Sequence, residues 1–525
     1  MASGNPWGPP PTAGAEVETL VVEPPRSGPP VVPAVPPVPG AAPGAARTRK
    51  AAGDRPSRSD PFVALLSRRL GGPPGRHAAV RSGWWSPVRV ALLVGTLVYL
   101  AGMVFRLPCR ITRAGQSIDQ YGDLCYSDIG LLYTGRGLLQ GNVPYLDSGD
   151  YPVLEYPVLT GWFLDLERRI AVLLGAPTGP GLSDQQVVDS TLRFVDVNTV
   201  LLGALFLVTV WAQVQTVPQR PWDALLLAAS PCVAAAALVN WDLLPVALTA
   251  TALLAWSRRR PGLAGLLLGL GMAAKLYPAL LLGPLLLLCL RAGRLREFGR
   301  AFVTFALGWL AVNLPVLLLA PQAWLSFWRF NSDRSGDFGS LWYVFALAGR
   351  PVDALNLVSG GLFALACLAI GLLILLAPVR PRLGSVAFLV VAAFLLTNKV
   401  YSPQYVLWLL PLLVLARPRW RDWLVFTAGE LLYFVAIWWH LGGQLAPGDG
   451  SPDRLYWLAV LVRLATQSYV VALVVRDVLR PRYDPVRRGV PGAGSLDDPA
   501  GGVLDHAPDA SWAARLRTAV VGAYR

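Results

Sequence analysis

The sequence predicts an all-α polytopic membrane protein of about twelve transmembrane helices. Three observations carry that expectation. Only 15% of the 525 residues are charged, against about 25% in an average soluble protein, which is too few to cover a water-facing surface. Apolar residues make up 54% of the chain and recur in runs of about 15 to 22, the length that crosses hydrocarbon. The loops between the runs are short and rich in arginine, as cytoplasmic loops are. The formal charge of +14 raises the question of a nucleic-acid partner. The basic residues are scattered between apolar runs and form no continuous stripe interleaved with aromatics, so that class is excluded.

Residues 1–87 read as a disordered Pro/Ala/Gly-rich cytoplasmic tail. The first 60 hold 14 prolines and lack the apolar content that offsets the cost of ordering. No charged start leads into an apolar core, so this is not a signal peptide, and the run from Val88 acts as an uncleaved anchor. Arg68, Arg69, Arg76, Arg81 and Arg89 precede it, which keeps the N-terminus in the cytoplasm. The membrane domain then spans 88–478, and 479–525 form a second cytoplasmic tail. The expected location is the plasma membrane, with many passes.

Residues 107–196 form the longest polar stretch, an extracytoplasmic loop with eleven acids and six arginines. Within it, 158–174 read as an amphipathic helix on the outer interface, because Asp165, Glu167, Arg168 and Arg169 interrupt its apolar positions. Later spans are expected near 197–216, 224–240, 243–257, 261–275, 277–290, 301–320, 355–378, 384–398, 404–416, 423–440 and 456–475. Alternate loops then carry the arginine clusters, such as Arg258, Arg259 and Arg260, on the inner side.

Cys109 and Cys125 both fall in the outer loop, an oxidising setting, and are expected to form a disulfide. In the same loop, Ser127 can cap a helix running from Asp128 to Gln140, with Gly141 as its stop. That places Asp128 in the positively polarised first turn, where its carboxylate stays ionised and available as a base; a favourable first-turn acid is the plainer alternative. Asp119, Asp123, Tyr133, Tyr145 and the repeat YPVLEYPVL, which contains Glu155, surround it with polar and aromatic groups.

Only three of the 46 basic residues are lysine: Lys50, Lys275 and Lys399. Lys275, in AAKLYP, and Lys399, in TNKVYSPQY, both end spans on the outer side. Snorkelling to headgroups is one explanation. Arginine serves that purpose elsewhere in the chain, so compact charges aimed at a phosphate fit better. Arg334, in RFNSDRSGDFGSLWY, can bind phosphate with its fork or pair with a neighbouring aspartate. The turn Asn240–Trp241–Asp242 offers an acid for sugar hydroxyls or a cation, or is a solvated turn. Glu430 and Arg463 fall inside spans and are expected to form an ion pair between neighbouring helices. No His or Cys cluster has metal-ligand spacing, no phosphate loop occurs and no acyl-transfer triad is present. No metal site or cofactor is therefore assigned, and a need for a divalent cation stays open.

Taken in order, SDIGLLYTGRGLLQGNVPY, EYPVLTG, NWD, KLYP, NSDRSGDFGSLWY and NKVYSPQYVLWLLP resemble the polyprenol-phosphate-mannose-dependent mannosyltransferases of the GT-C superfamily, of the family 87 type. The resemblance covers residues 88–478. It implies a GT-C-like fold, a polyprenyl-phosphate-linked sugar donor and a lipid or glycan acceptor at the membrane. It further implies Asp128 as catalytic base and Lys275, Arg334 and Lys399 near the donor phosphate. Asp123, Tyr133, Tyr145, Glu155, Asp242, Gln404 and Tyr405 are expected to bind substrate. The alternative class is a flippase or secondary transporter, which would gather its polar groups at mid-membrane.

Overall fold

The computed structural model describes residues 85–447, 452–488 and 496–516; the proline-rich stretch up to residue 84 lies outside them. Among the described residues the chain is helical, and six helices are long and apolar enough to cross a membrane: Pro87–Phe105, Asp184–Thr216, Leu295–Leu319, Leu355–Leu376, Trp420–Leu441 and Arg454–Leu479. Five shorter apolar helices accompany them: Leu243–Ser257, Pro261–Ala274, Tyr277–Arg291, Leu383–Thr397 and Pro403–Ala416.

Local chemistry explains several boundaries. Ser86 caps the first helix through the Arg89 N–H at 3.3 Å, with Pro87 at the first helical position, where its missing N–H costs nothing. A capping box of Ser183 and Gln186 starts Asp184–Thr216. That helix begins well before the expected span at 197, so it projects into the acidic loop. The run expected to span at 224–240 is instead broken into Leu225–Ala228 and Pro231–Ala236. Pro231 lacks the N–H a continuing helix needs and disfavours helical geometry at Ser230. These short pieces are buried, which is where a bilayer protein can hold irregular backbone.

Long and short helices divide the work of burial. Leu357, Leu365 and Leu368 on Leu355–Leu376 are 77, 63 and 61% exposed, as suits side chains facing lipid. The short Leu383–Thr397 and Pro403–Ala416 are almost wholly buried and form the centre of the bundle. Pro261–Ala274 packs closely on Leu295–Leu319 because Gly265 and Gly269 are four residues apart; a Cβ at either would collide with the backbone of Ala301 or Phe305. The helix Val158–Leu173 forms as expected, but it turns Asp165, Glu167 and Arg168 inward and leaves Arg169 exposed. Asp165 pairs with Arg168 and Arg169, each at 2.6 Å, while Leu166 and Leu173 are exposed.

The expected ion pair between Glu430 and Arg463 is not direct. Glu430 accepts hydrogen bonds from Tyr401 at 2.8 Å and Gln467 at 2.6 Å. The Arg463 guanidinium lies 3.6 Å over the Tyr401 ring and donates to the Gly339 carbonyl at 2.7 Å. An aromatic ring therefore separates the two charges, polarised by both.

The arginine-rich end of the bundle is closed by residues beyond Leu479. Arg382 pairs with Asp484 at 2.7 Å, Arg291 with Asp509 at 3.0 Å and Arg380 with Asp509 at 3.2 Å. The Trp256 indole donates to Gly501 at 2.8 Å. Arg382 and Asp484 are both buried, and removing one partner strands the other charge. Asp484→Ala is expected to destabilise the protein by about 3–5 kcal/mol, seen as a lowered unfolding midpoint in detergent; an unchanged midpoint would show that the pair contributes nothing.

Candidate active site

At the opposite end, the acidic loop and the helix ends enclose a cavity of about 610 Å³. Its wall begins at a clamped segment, residues 125–128. Cys125 is joined to Cys109 by a disulfide with Cα atoms 5.8 Å apart. Arg106 donates to the carbonyls of Cys125 and Tyr126 at 3.2 and 2.8 Å, and to Ala235 at 2.8 Å. Ser127 caps the following helix and donates to the Leu238 carbonyl at 2.7 Å, while the Asp128 N–H reaches Val239 at 2.8 Å. That helix runs only from Asp128 to Gly135. It stops short of Gln140 because Gly137 turns the chain at φ +73°.

Asp128 accepts a hydrogen bond from Tyr126 at 2.8 Å and a longer one from Tyr156 at 3.4 Å. Burial pushes its carboxyl above the usual carboxylate range; Tyr126 and the nearby Lys275 charge oppose the rise, and Asp242 adds to it. The helix N-terminus favours the ionised form, yet desolvation outweighs it here. Tyr126 packs at a tilt against Trp438 with centroids 4.7 Å apart, and both rings line the cavity beside Asp128.

The Asn240–Trp241–Asp242 turn is buried, not solvated, and Asp242 is 1% exposed. Asp242 pairs with Lys275 at 2.8 Å through one oxygen and accepts the Trp408 indole N–H at 3.0 Å through the other. Trp408 stacks between Tyr405, at 4.1 Å, and Tyr277, at 4.6 Å. Asp242 thus supports the cavity wall from behind, and its ion pair keeps Lys275 inside the cavity.

The remaining cations sit where two loops are joined. Asp337 N–H donates to the Lys399 carbonyl and Tyr401 N–H to Phe338, each at 2.8 Å. Gly339 at φ +71° lets this crossing approach Tyr433 and Tyr401, where a Cβ would collide. The Arg334 Nε and Nη2 are taken by Asp337 at 2.7 and 2.5 Å, so its fork is partly occupied. Lys399 donates to the Ser332 carbonyl at 3.1 Å and to Asn356 Oδ1 at 2.5 Å. Desolvation and the neighbouring Arg334 charge lower its affinity for its proton.

Asp128, Glu155, Lys275, Arg334, Lys399, Gln404 and Tyr405 therefore face one cavity. Glu155 reaches it already paired with Arg136 at 2.7 Å. Tyr133 does not reach it: the ring is fully buried, stacked on Phe194 and bonded to Ser190 at 2.8 Å. Tyr145 is also buried outside the cavity lining and donates to the carbonyls of Tyr156 and Pro157 at 2.9 and 3.0 Å. Asp123 is exposed and likewise outside it. Tyr126, Tyr156, Trp408 and Trp438 were not singled out in the sequence. Tyr126 lies two residues before Asp128 and Tyr156 lies in YPVLEYPVL, so both had a local signal; Trp408 and Trp438 lie within apolar runs and had none.

Among the described residues, a group of three possible metal ligands occurs at Asp497, Asp505 and His506. It lies outside the cavity, and Asp497 pairs with Arg487 at 3.3 Å. At the cavity, Asp242 already holds the Lys275 ammonium.

Removing the Cys109–Cys125 bridge, which closes a separation of 16 residues, is expected to cost about 3 kcal/mol in the chain-entropy model. Comparing unfolding of the Cys109→Ser/Cys125→Ser variant with the oxidised protein measures this; equal stability would mean that Arg106 alone secures the segment.

Comparison with known proteins adds two findings. Residues 187–398 match the profile described as glycosyltransferase family 87. The chain is also 30% identical over 253 residues to a Danio rerio protein named GPI alpha-1,4-mannosyltransferase I, catalytic subunit, covering 44% of this chain and 62% of that relative. The chain thus spans less than two thirds of the relative's length. The matched interval contains the Asn240–Asp242 turn, Lys275 and Arg334, and over residues 187–398 the chain is similar to glycosyltransferase family 87.

Proposed function

We propose that this protein is an integral-membrane glycosyltransferase that moves mannose from a polyprenyl-phosphate donor to a lipid or glycan acceptor, with inversion. The observation that carries the reading is the single cavity joining Asp128 to Lys275, Arg334 and Lys399 at the acidic-loop end of the bundle. An acid and several cations are what transfer from a sugar phosphate needs. The family 87 match over 187–398 and the mannosyltransferase relative support sugar transfer and mannose. A transporter would place its polar groups at mid-membrane, whereas Glu430 and Arg463 are consumed by Tyr401, Gln467 and Gly339.

In this reading Asp128 accepts the proton of the acceptor hydroxyl as its oxygen bonds to the anomeric carbon. The bond from that carbon to the phosphate oxygen breaks, and its electron pair leaves with the lipid phosphate. Cations on the cavity wall stabilise the charge that grows on the leaving oxygen. Base and leaving group stand on opposite sides of the anomeric carbon, which inverts it. Tyr126 orients the carboxylate through its hydrogen bond. The resident polar groups described above supply proton transfer and charge stabilisation without a nucleotide donor.

Asp128→Asn is expected to lower turnover about 10²- to 10⁴-fold, measured in purified protein with polyprenyl-phosphate-mannose and a membrane lipid extract as acceptor. Normal turnover would overturn the assignment. The wild-type pH profile should lose activity on its acid side above the ordinary aspartate value of about 4, because the base must be ionised and burial raises its pKa. An acid limb at or below that value would contradict a buried base.

A further inference from the structure

We propose that the Asn240–Trp241–Asp242 turn is a positioning element for the base, and that Lys275, held by this turn, is an internal counter-ion of Asp128 and Asp242 instead of a ligand for the donor phosphate. The inference rests on Asp128 being the base of the proposed transfer.

Each side chain of the turn has a separate structural task. Asn240 accepts the Asp242 N–H at 3.0 Å and donates to the Tyr156 hydroxyl at 3.2 Å, whose own proton points to Asp128 at 3.4 Å. An amide supplies both an acceptor and donors, as a carboxylate or ammonium cannot. The Trp241 indole N–H is held from behind by Glu167 at 2.8 Å and Asn198 at 2.6 Å. Those residues lie on Val158–Leu173 and Asp184–Thr216, so two helices fix the turn. Asp242 then holds Lys275 at 2.8 Å.

The Lys275 ammonium is already well solvated by protein. Besides Asp242 it lies 4.9 Å from the Tyr156 ring centroid, 5.7 Å from Tyr405 and 5.9 Å from Trp408, within cation–π range. Binding a phosphate would pull it from a buried carboxylate and leave that charge uncompensated. Lys399 differs, because its partners are the neutral oxygens of Ser332 and Asn356. Arg334 is paired with Asp337 and Asp333 acts on Lys399 through space, so the four charges of that rim balance, but no acid is hydrogen-bonded to the Lys399 ammonium. The Asp128, Asp242 and Lys275 end is net negative when both acids are ionised. An anionic donor head therefore belongs at the Arg334–Lys399 rim.

The charged and titratable groups facing Asp128 are Tyr126, Tyr156, Lys275 and Asp242, and those facing Lys275 are Asp242, Asp128, Tyr156 and Tyr405. Two substitutions within this set have opposite signs. Lys275→Gln removes a cation that favours ionised Asp128, so the acid limb of kcat should move up by about one pH unit. Its kcat should fall about tenfold with donor KM within about twofold of wild type. Asp242→Asn removes a repelling charge and frees the Lys275 field, so the limb should move down by a similar amount; the double variant should return it towards wild type. Lys399→Gln should instead raise donor KM about tenfold and leave the limb in place.

The inference is overturned if Lys275→Gln raises donor KM about tenfold with an unmoved limb, or if both single variants move the limb the same way. Should either fail to fold, Tyr156→Phe asks the question more gently. Losing the hydroxyl that links Asn240 to Asp128 should raise the limb and lower kcat without changing donor KM, and an unmoved limb overturns the proposal. An inactive Asp128→Asn alongside such results leaves the glycosyltransferase reading standing; a fully active Asp128→Asn removes both.

Discussion

Hydrocarbon offers no hydrogen bonds, and that constraint governs where polar groups lie inside the described bundle. Backbone groups are satisfied within helices, and the irregular pieces Leu225–Ala228 and Pro231–Ala236 lie where other helices cover them. Charges that remain inside are answered locally. Glu430 has Tyr401 and Gln467, and Arg463 has the Tyr401 ring and the Gly339 carbonyl. These contacts also bring the loop bearing Arg334 against the loop bearing Lys399, so polar residues within the bundle help shape one end of it.

The two ends solve the same problem differently. At the arginine-rich end, Arg291 and Arg380 share Asp509 and Arg382 pairs with Asp484, so each arginine meets an acid from beyond the last long helix. At the acidic-loop end the pairing is incomplete. Lys275 shares its charge between Asp242 and the neighbourhood of Asp128, and Lys399 touches only neutral oxygens. A cavity lined by charges with such partial compensation suits the anionic donor proposed above, and it holds a carboxyl, Asp128, whose affinity for its proton is raised.

The cavity is assembled from distant parts of the chain. The family 87 match covers 187–398, which holds the Asn240–Asp242 turn, Lys275 and Arg334 but leaves out Asp128 and Lys399. Arg106 and the Cys109–Cys125 bridge bind the segment bearing Asp128 to the first helix, and its backbone contacts with Leu238 and Val239 bring it to the matched region. Acid and cations thus come from separate segments that meet only because the acidic loop folds down onto the helix ends.

Much of this was legible in the sequence, and the reason is local. Apolar runs and arginine loops declare the membrane class because the bilayer tests each segment separately. Asp128 stood out through its capped helix start, and Lys275 and Lys399 through the scarcity of lysine. Local company misled where direction mattered: Tyr133 and Tyr145 are neighbours of the site in sequence but point into packing, since side chains on one turn face different sides. The Asn240–Asp242 turn looked equally like a solvated turn because its partners Tyr156, Glu167, Asn198, Lys275 and Trp408 are spread along the chain. The sequence by itself determined the helical membrane class, the two chemically distinct ends and the residue types available for chemistry. Only the tertiary structure decided which charge compensates which, because Asp242 and Trp408, 166 residues apart, are brought together by helix packing that no local pattern encodes.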